Sequence, residues 1–257
     1  MDSLTNFDLE DSRDISALRN GDDVALGMAL AEAGCSVEAA ALLRPHRKVW
    51  SKGDQAEIGA AALDAVAWWN RNWRDVARAR QAGRHGEVLR LVGDHARALW
   101  DQPALLLHLA WVARTTGRQA LAGHLLRRVI YLCHRGVPGM EMKAFRYAAE
   151  AGLVDILVDE GRIDDALSAF EALTPNPGNA MAHQLQGAEL LVLSGRLDAA
   201  MVAVAKILMT ANDKRSGWSA TVRRDFTENS QALGPLRARD DWRALISDPA
   251  AYLARSA

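Results

Sequence analysis

Apolar residues along the chain recur at intervals of three and four, and no clear run of alternating β-branched residues interrupts them. That period places the apolar positions on one face of a helix, so the pattern predicts helix almost throughout. A short helical pair is expected over 22–34 and 37–43, followed by a connector over 47–53. A long helix then runs to Ala82, capped by Asp54, with Gln55 to Glu57 in its first turn. Further helices are expected over 84–99, 103–116, 118–134, 140–160, 162–173, 179–194 and 196–210, with short pieces over 218–231 and 239–255. The breaks fall at Gly83, Gly117, Gly136 to Pro138, Gly161, Pro175 to Gly178 and Gly195, residues that end helices.

Two stretches repeat one phrase. VDEGRIDDALSAFEAL starts at Val158, and VLSGRLDAAMVAVAKI starts at Val192, 34 residues later. In each, a glycine is followed five positions on by alanine: Gly161 by Ala166, Gly195 by Ala200. Gly117 with Ala122 and Gly34 with Ala39 repeat the pattern, and Gly83 with Val88 follows it less closely. The intervals between successive glycines are 49, 34, 44 and 34 residues. A recurrent spacing of this size marks a helix–turn–helix unit used several times. The glycine ends the first helix in a left-handed conformation, and the small residue lets the second helix approach closely. A large apolar residue four positions further on (Leu126, Phe170, Val204) fills the contact.

These residues make the chain resemble the tetratricopeptide repeat family over residues 60–210, most closely over 145–210. The best unit carries Ala182, Leu185, Ala188, Leu191, Gly195, Arg196, Ala200 and Val204; the one before it carries Leu153, Leu157, Gly161, Arg162, Ala166, Phe170 and Pro175. The family's early aromatic is replaced by Gln184 and Glu150 in these two units. The resemblance implies an all-α fold: a right-handed α–α superhelix of four to five hairpins over 21–210, preceded by an acidic arm (1–20) and closed by capping helices (211–257). Trp242 and Tyr252 are the natural core of such a cap. The resemblance also implies a concave groove lined by the first helix of each unit. Its positions transfer to Asn70, Trp73, Ala77 and Arg80, to Leu107, Trp111 and Arg114, and to Asp155 and Glu189. The lysine and asparagine pattern with which the family clamps a peptide's terminal carboxylate is absent.

Tryptophan and arginine dominate binding hot spots, which makes Trp73, Arg80, Trp111 and Arg114 the leading candidates for contact with a partner. The competing expectation for Trp73 and Trp111 is core. Trp69 and Trp73 lie four apart on one stripe of the long helix, which reads as packed, whereas Trp68 points elsewhere, to a second core contact or an exposed anchor.

Composition narrows the function classes. A net charge of -1 over 257 residues argues against a general nucleic-acid binder. Cys35 and Cys133 stand far apart and outside any CxxC, which fits a reducing compartment. The acidic start has no apolar signal segment, and no long uncharged apolar run exists, so a cytoplasmic protein is expected. Seven scattered histidines and the adjacent Cys133 and His134 form no metal-binding spacing, and no catalytic motif is present, so no cofactor is expected. Charge is nevertheless uneven. Residues 1–23 hold seven acids against two arginines, and residues 71–98 hold seven arginines against three acids. The arm could fold back on these helices, or an acidic partner could take its place. Together the residues lead to a non-enzymatic scaffold or adaptor that holds a peptide or helix of a partner protein. A constitutive subunit of a larger complex, or an enzyme or ligand-responsive regulator on the same scaffold, are the alternatives.

Overall fold

The computed structural model describes residues 23–53, 55–136, 142–175, 180–210 and 219–256. The acidic arm, Asp54, and the Pro138 and Pro177–Gly178 breaks lie outside these residues. The described chain is all-α, and its one β feature is an isolated bridge between Cys35 and Leu99. The helices are α1 (Asp23–Glu32), α2 (Ser36–Leu43), α3 (Arg47–Trp50), α4 (Ala56–Gln81), α5 (His85–Val92), α6 (Pro103–Thr115), α7 (Gln119–Arg135) and α8 (Met142–Asp159). They continue with α9 (Ile163–Glu171), α10 (Ala180–Leu193), α11 (Leu197–Met209), α12 (Ala220–Asn229), α13 (Gly234–Arg237), α14 (Trp242–Ser247) and α15 (Pro249–Ser256).

The hairpin turn expected from the glycines recurs five times with one geometry. Gly34, Gly83, Gly117, Gly161 and Gly195 have φ between 67° and 77°. At each, the glycine N–H donates three residues back and the next N–H donates five residues back, as in Gly195 to Val192 and Arg196 to Leu191. This paired closure satisfies carbonyls that the helix end would otherwise leave open. The residue after the glycine, arginine in four turns and Cys35 in the fifth, is also the N-cap of the next helix, and its carbonyl accepts the N–H of the small residue. Those small residues, Ala39, Val88, Ala122, Ala166 and Ala200, are all completely buried.

Three corrections apply to the expected elements. The connector expected over 47–53 contains a short helix, α3. The helix expected over 84–99 ends at Val92, because the chain leaves helical geometry to pair with the first turn: Ser36 N–H donates to Ala98 and Trp100 N–H to Gly34. The C-terminal stretch 239–255 is two short helices rather than one.

The chain divides into two compact units, Met1–Ala149 and Glu150–Ala257. In the first, α1, α2 and α4 enclose Met28, Leu30, Leu43, Trp50 and Ala62, and α6 packs on α7. In the second, Val154, Leu167, Phe170 and Leu190 join α8, α9 and α10. A separate cluster joins Met201, Val204 and Ile207 of α11 to Leu233, Leu236, Trp242, Leu245 and Tyr252. The C-terminal helices therefore cover the apolar face of α11, which would otherwise meet water.

Candidate functional site

In unit 1 the candidate residues sit on α4 and α6, which pack together beside α5. The buried stripe of α4 contains Trp69, Val76 and Ala79. Trp73 lies about 40° round the helix from Trp69 at 3.6 residues per turn, on the edge of that stripe. This edge position corrects the expectation that both indoles are packed: Trp69 is 6% exposed, and Trp73 is 44% exposed. The Arg74 guanidinium stands 5.4 Å from the Trp73 ring centroid, and Asn70 is exposed one turn back. Trp68 is half-buried and stacks on His95, with ring centroids 4.1 Å apart.

Arg80 is half-buried near the end of the same helix. Its Nε and the Nδ1 of His108 on α6 are both buried, with no hydrogen-bond partner among the described residues. Burial pushes His108 down to about 4, and the positive charge of Arg80 adds to that push. At neutral pH the imidazole is therefore uncharged. One turn further along α6, Trp111 is half-buried and meets the edge of His85, with centroids 4.8 Å apart at 85°. Leu107 and Arg114 are half-buried on the same helix. Two of the arginines here are locally paired, Arg78 with Asp75 and Arg84 with Glu87 at 2.8 Å.

In unit 2 both candidate acids are already engaged. Asp155 accepts a hydrogen bond from Gln186 Nε2 at 2.8 Å. Glu189 accepts one from Ser230 Oγ at 2.5 Å, and Arg237, close by, donates to the Ser230 carbonyl.

Sequence reasoning missed a buried polar network in unit 1. Asp101, fully buried, accepts the backbone N–H of Val37 at 3.2 Å and of Glu38 at 2.8 Å, and so caps α2 from 63 residues away. Glu38 in turn pairs with Arg135 at 2.6 Å. Arg128, 4% exposed, reaches toward the Trp100 carbonyl at 3.5 Å and lies 3.9 Å from the Cys35 sulfur. Burial pushes the Cys35 thiol up to about 12, helped by the Asp101 carboxylate, so it is no nucleophile. Burial likewise raises Asp101 to about 7 against the two backbone donors that favour its charged form. The network is buried except for the partly exposed Arg135, and its chemistry is that of a clamp between the first hairpin and the entry to α6. No local pattern in the sequence could have announced it, because its members come from three separate segments: 35–38, 100–101 and α7.

Among the described residues no three of His, Cys, Asp and Glu converge in a way that could hold a metal ion, and no helix is long and apolar enough to cross a membrane. No protein-family model, no curated protein and no solved structure matches the chain.

Proposed function

We propose that this protein is a non-enzymatic binding module of tetratricopeptide-repeat type. Its hairpins belong to a right-handed superhelix, and the α4–α6 face of unit 1 holds a peptide or helix of a partner protein. The observation that carries this reading is Trp73, a large apolar side chain left 44% exposed at a position the family uses for contact. An exposed indole beside arginines is the usual composition of a binding hot spot. Trp111, Arg80 and Arg114 would extend the contact along the face, and the arginines favour a partner with acidic side chains. The recurrence of one turn geometry at five glycines supports the repeat reading. Free thiols at Cys35 and Cys133 suit a reducing compartment such as the cytoplasm.

The test is a display selection of random peptides on the intact protein, followed by affinity measurements on the selected sequences. Trp73→Ala should leave the melting temperature nearly unchanged and weaken binding by about thirtyfold, the loss expected for a hot-spot tryptophan. Selected peptides that bind Trp73→Ala and Trp111→Ala as tightly as the parent would sink the proposal.

A further inference from the structure

We infer that the basic hollow at the α2–α3 junction is the seat of this chain's own acidic N-terminal stretch, residues 1–22. The hollow is open, has a volume of 640 Å³, and is lined by Arg44, His46, Arg47, Lys48 and Val49. That volume falls within the range of about 300–1,000 Å³ typical of sites that take a ligand. Arg44, Arg47 and Lys48 are exposed, and none forms an ion pair among the described residues. This contrasts with Arg78 on α4 and Arg84 at the N-cap of α5, which are paired with their own neighbours. Val49 is 69% exposed, more than any other large apolar side chain among the described residues, so the hollow offers an apolar contact as well as charge.

Three observations select the occupant. The described chain starts at Asp23, whose carboxylate lies 3.7 Å from His46 Nε2, so the point of attachment of residues 1–22 is at the rim of the hollow. Those residues hold six acids against two arginines, a net of -4 that complements the lining. Phe7, Asp8, Leu9 and Glu10 alternate apolar and acidic side chains, and Asp11 adds a further acid, which matches a surface with a valine among basic residues. Reach is not limiting. From Asp23 back to Asp14 the chain spans up to about 30 Å when extended. Each surface ion pair contributes only about 0.2–1 kcal/mol. A short tether, however, supplies an effective concentration on the order of millimolar, so the segment needs an intrinsic affinity of only about 4 kcal/mol, shared between the ion pairs and the contact with Val49. The surface uses residues other than the Trp73 face, and the inference does not depend on that face binding anything.

Hydrogen exchange on the intact chain, read by mass spectrometry, tests it. Backbone amides within residues 1–22 should exchange about tenfold more slowly in the parent than in Arg44→Glu/Arg47→Glu/Lys48→Glu, a difference of about 1.4 kcal/mol. Raising the salt should erase the protection. Asp8→Lys/Glu10→Lys/Asp11→Lys alone should lose it as well, and the six changes combined should restore it. All substituted hollow residues are exposed, and an unchanged melting temperature confirms the fold in each variant. Free exchange of residues 1–22 in the parent overturns the inference and leaves the hollow to an acidic segment of another molecule. Protection that survives the triple reversal, or that the charge swap does not restore, overturns it by seating the stretch elsewhere.

Discussion

Six and three residues before the turn glycine, unit 1 carries Trp111 and Arg114 on α6, and Arg80 on α4 with Trp73 two turns earlier. The equivalent positions of unit 2 carry Asp155 and Glu189 six residues before the glycine, and Val158 and Val192 three residues before it. The two sets share a helix–turn–helix frame but not a state. Trp73 is open to solvent, whereas Asp155 and Glu189 are bonded to Gln186 and Ser230. A partner that used either acid would first have to displace an internal donor, whereas a partner that covered Trp73 would only release water. The difference directs the binding hypothesis to unit 1. A second contrast runs the other way: unit 1 buries Asp101, Glu38, Arg128 and Cys35 together, while the α11 core of unit 2 is apolar. Unit 1 thus combines an exposed indole with the more polar interior.

The largest expected effect sets the two units' turns against each other. Gly34 and Gly195 share a φ near 76°, but a Cβ at Gly34 would meet the Arg97 carbonyl oxygen at 2.3 Å, whereas a Cβ at Gly195 would meet nothing within 4 Å. Gly195→Ala should cost only the left-handed strain, about 1–2 kcal/mol. Gly34→Ala should add about 1–3 kcal/mol for the forced shift of the paired segment. Denaturant midpoints of the two variants measure the difference, and equal losses would mean the pairing of 34–36 with 98–100 yields freely.

Next comes the clamp. Asp101→Ala should cost about 1–3 kcal/mol, because two backbone N–H groups lose their acceptor inside the protein. Asp101 also sets a pH dependence. Its folded pKa is about 7 against an ordinary 3.8, so the folded chain binds this proton more tightly than the unfolded chain. Its contribution is therefore full below pH 3.8 and is lost as pH rises through 7. His108 acts in the opposite sense: with its pKa lowered from 6.5 to about 4, it favours folding above pH 6.5 and loses that contribution as pH falls through 4. Melts of Asp101→Asn between pH 4 and 8 should show the histidine trend alone, with stability rising toward neutrality. A profile parallel to the parent's would remove Asp101 from the balance.

The smallest expected effect is at the unit 2 acids. Asp155→Ala removes the hydrogen bond from Gln186 and Glu189→Ala that from Ser230, each worth about 0.5–1.5 kcal/mol, and both should leave peptide affinity within twofold of the parent. A loss of affinity comparable to that of Trp73→Ala would break the contrast between the units.

How much was legible depends on the distance over which each feature is decided. The five turns could be read in advance because a left-handed glycine, its two closing hydrogen bonds and the small residue five positions later lie within one short window. The helix expected to 99 could not be bounded correctly, since residues 98–100 leave the helix for partners more than sixty residues away. Trp69 and Trp73 look equivalent by spacing, and only the packing of the neighbouring helices puts one inside and the other at the edge.

The residue order by itself determined an all-helical chain broken into hairpins by glycine, because backbone hydrogen bonds and φ preferences act between near neighbours. The tertiary structure alone decided which indole faces water, which carboxylates are already engaged, and that Asp101 reaches back to cap α2. Burial and long-range pairing depend on what other segments bring to the same place, and no local period records that.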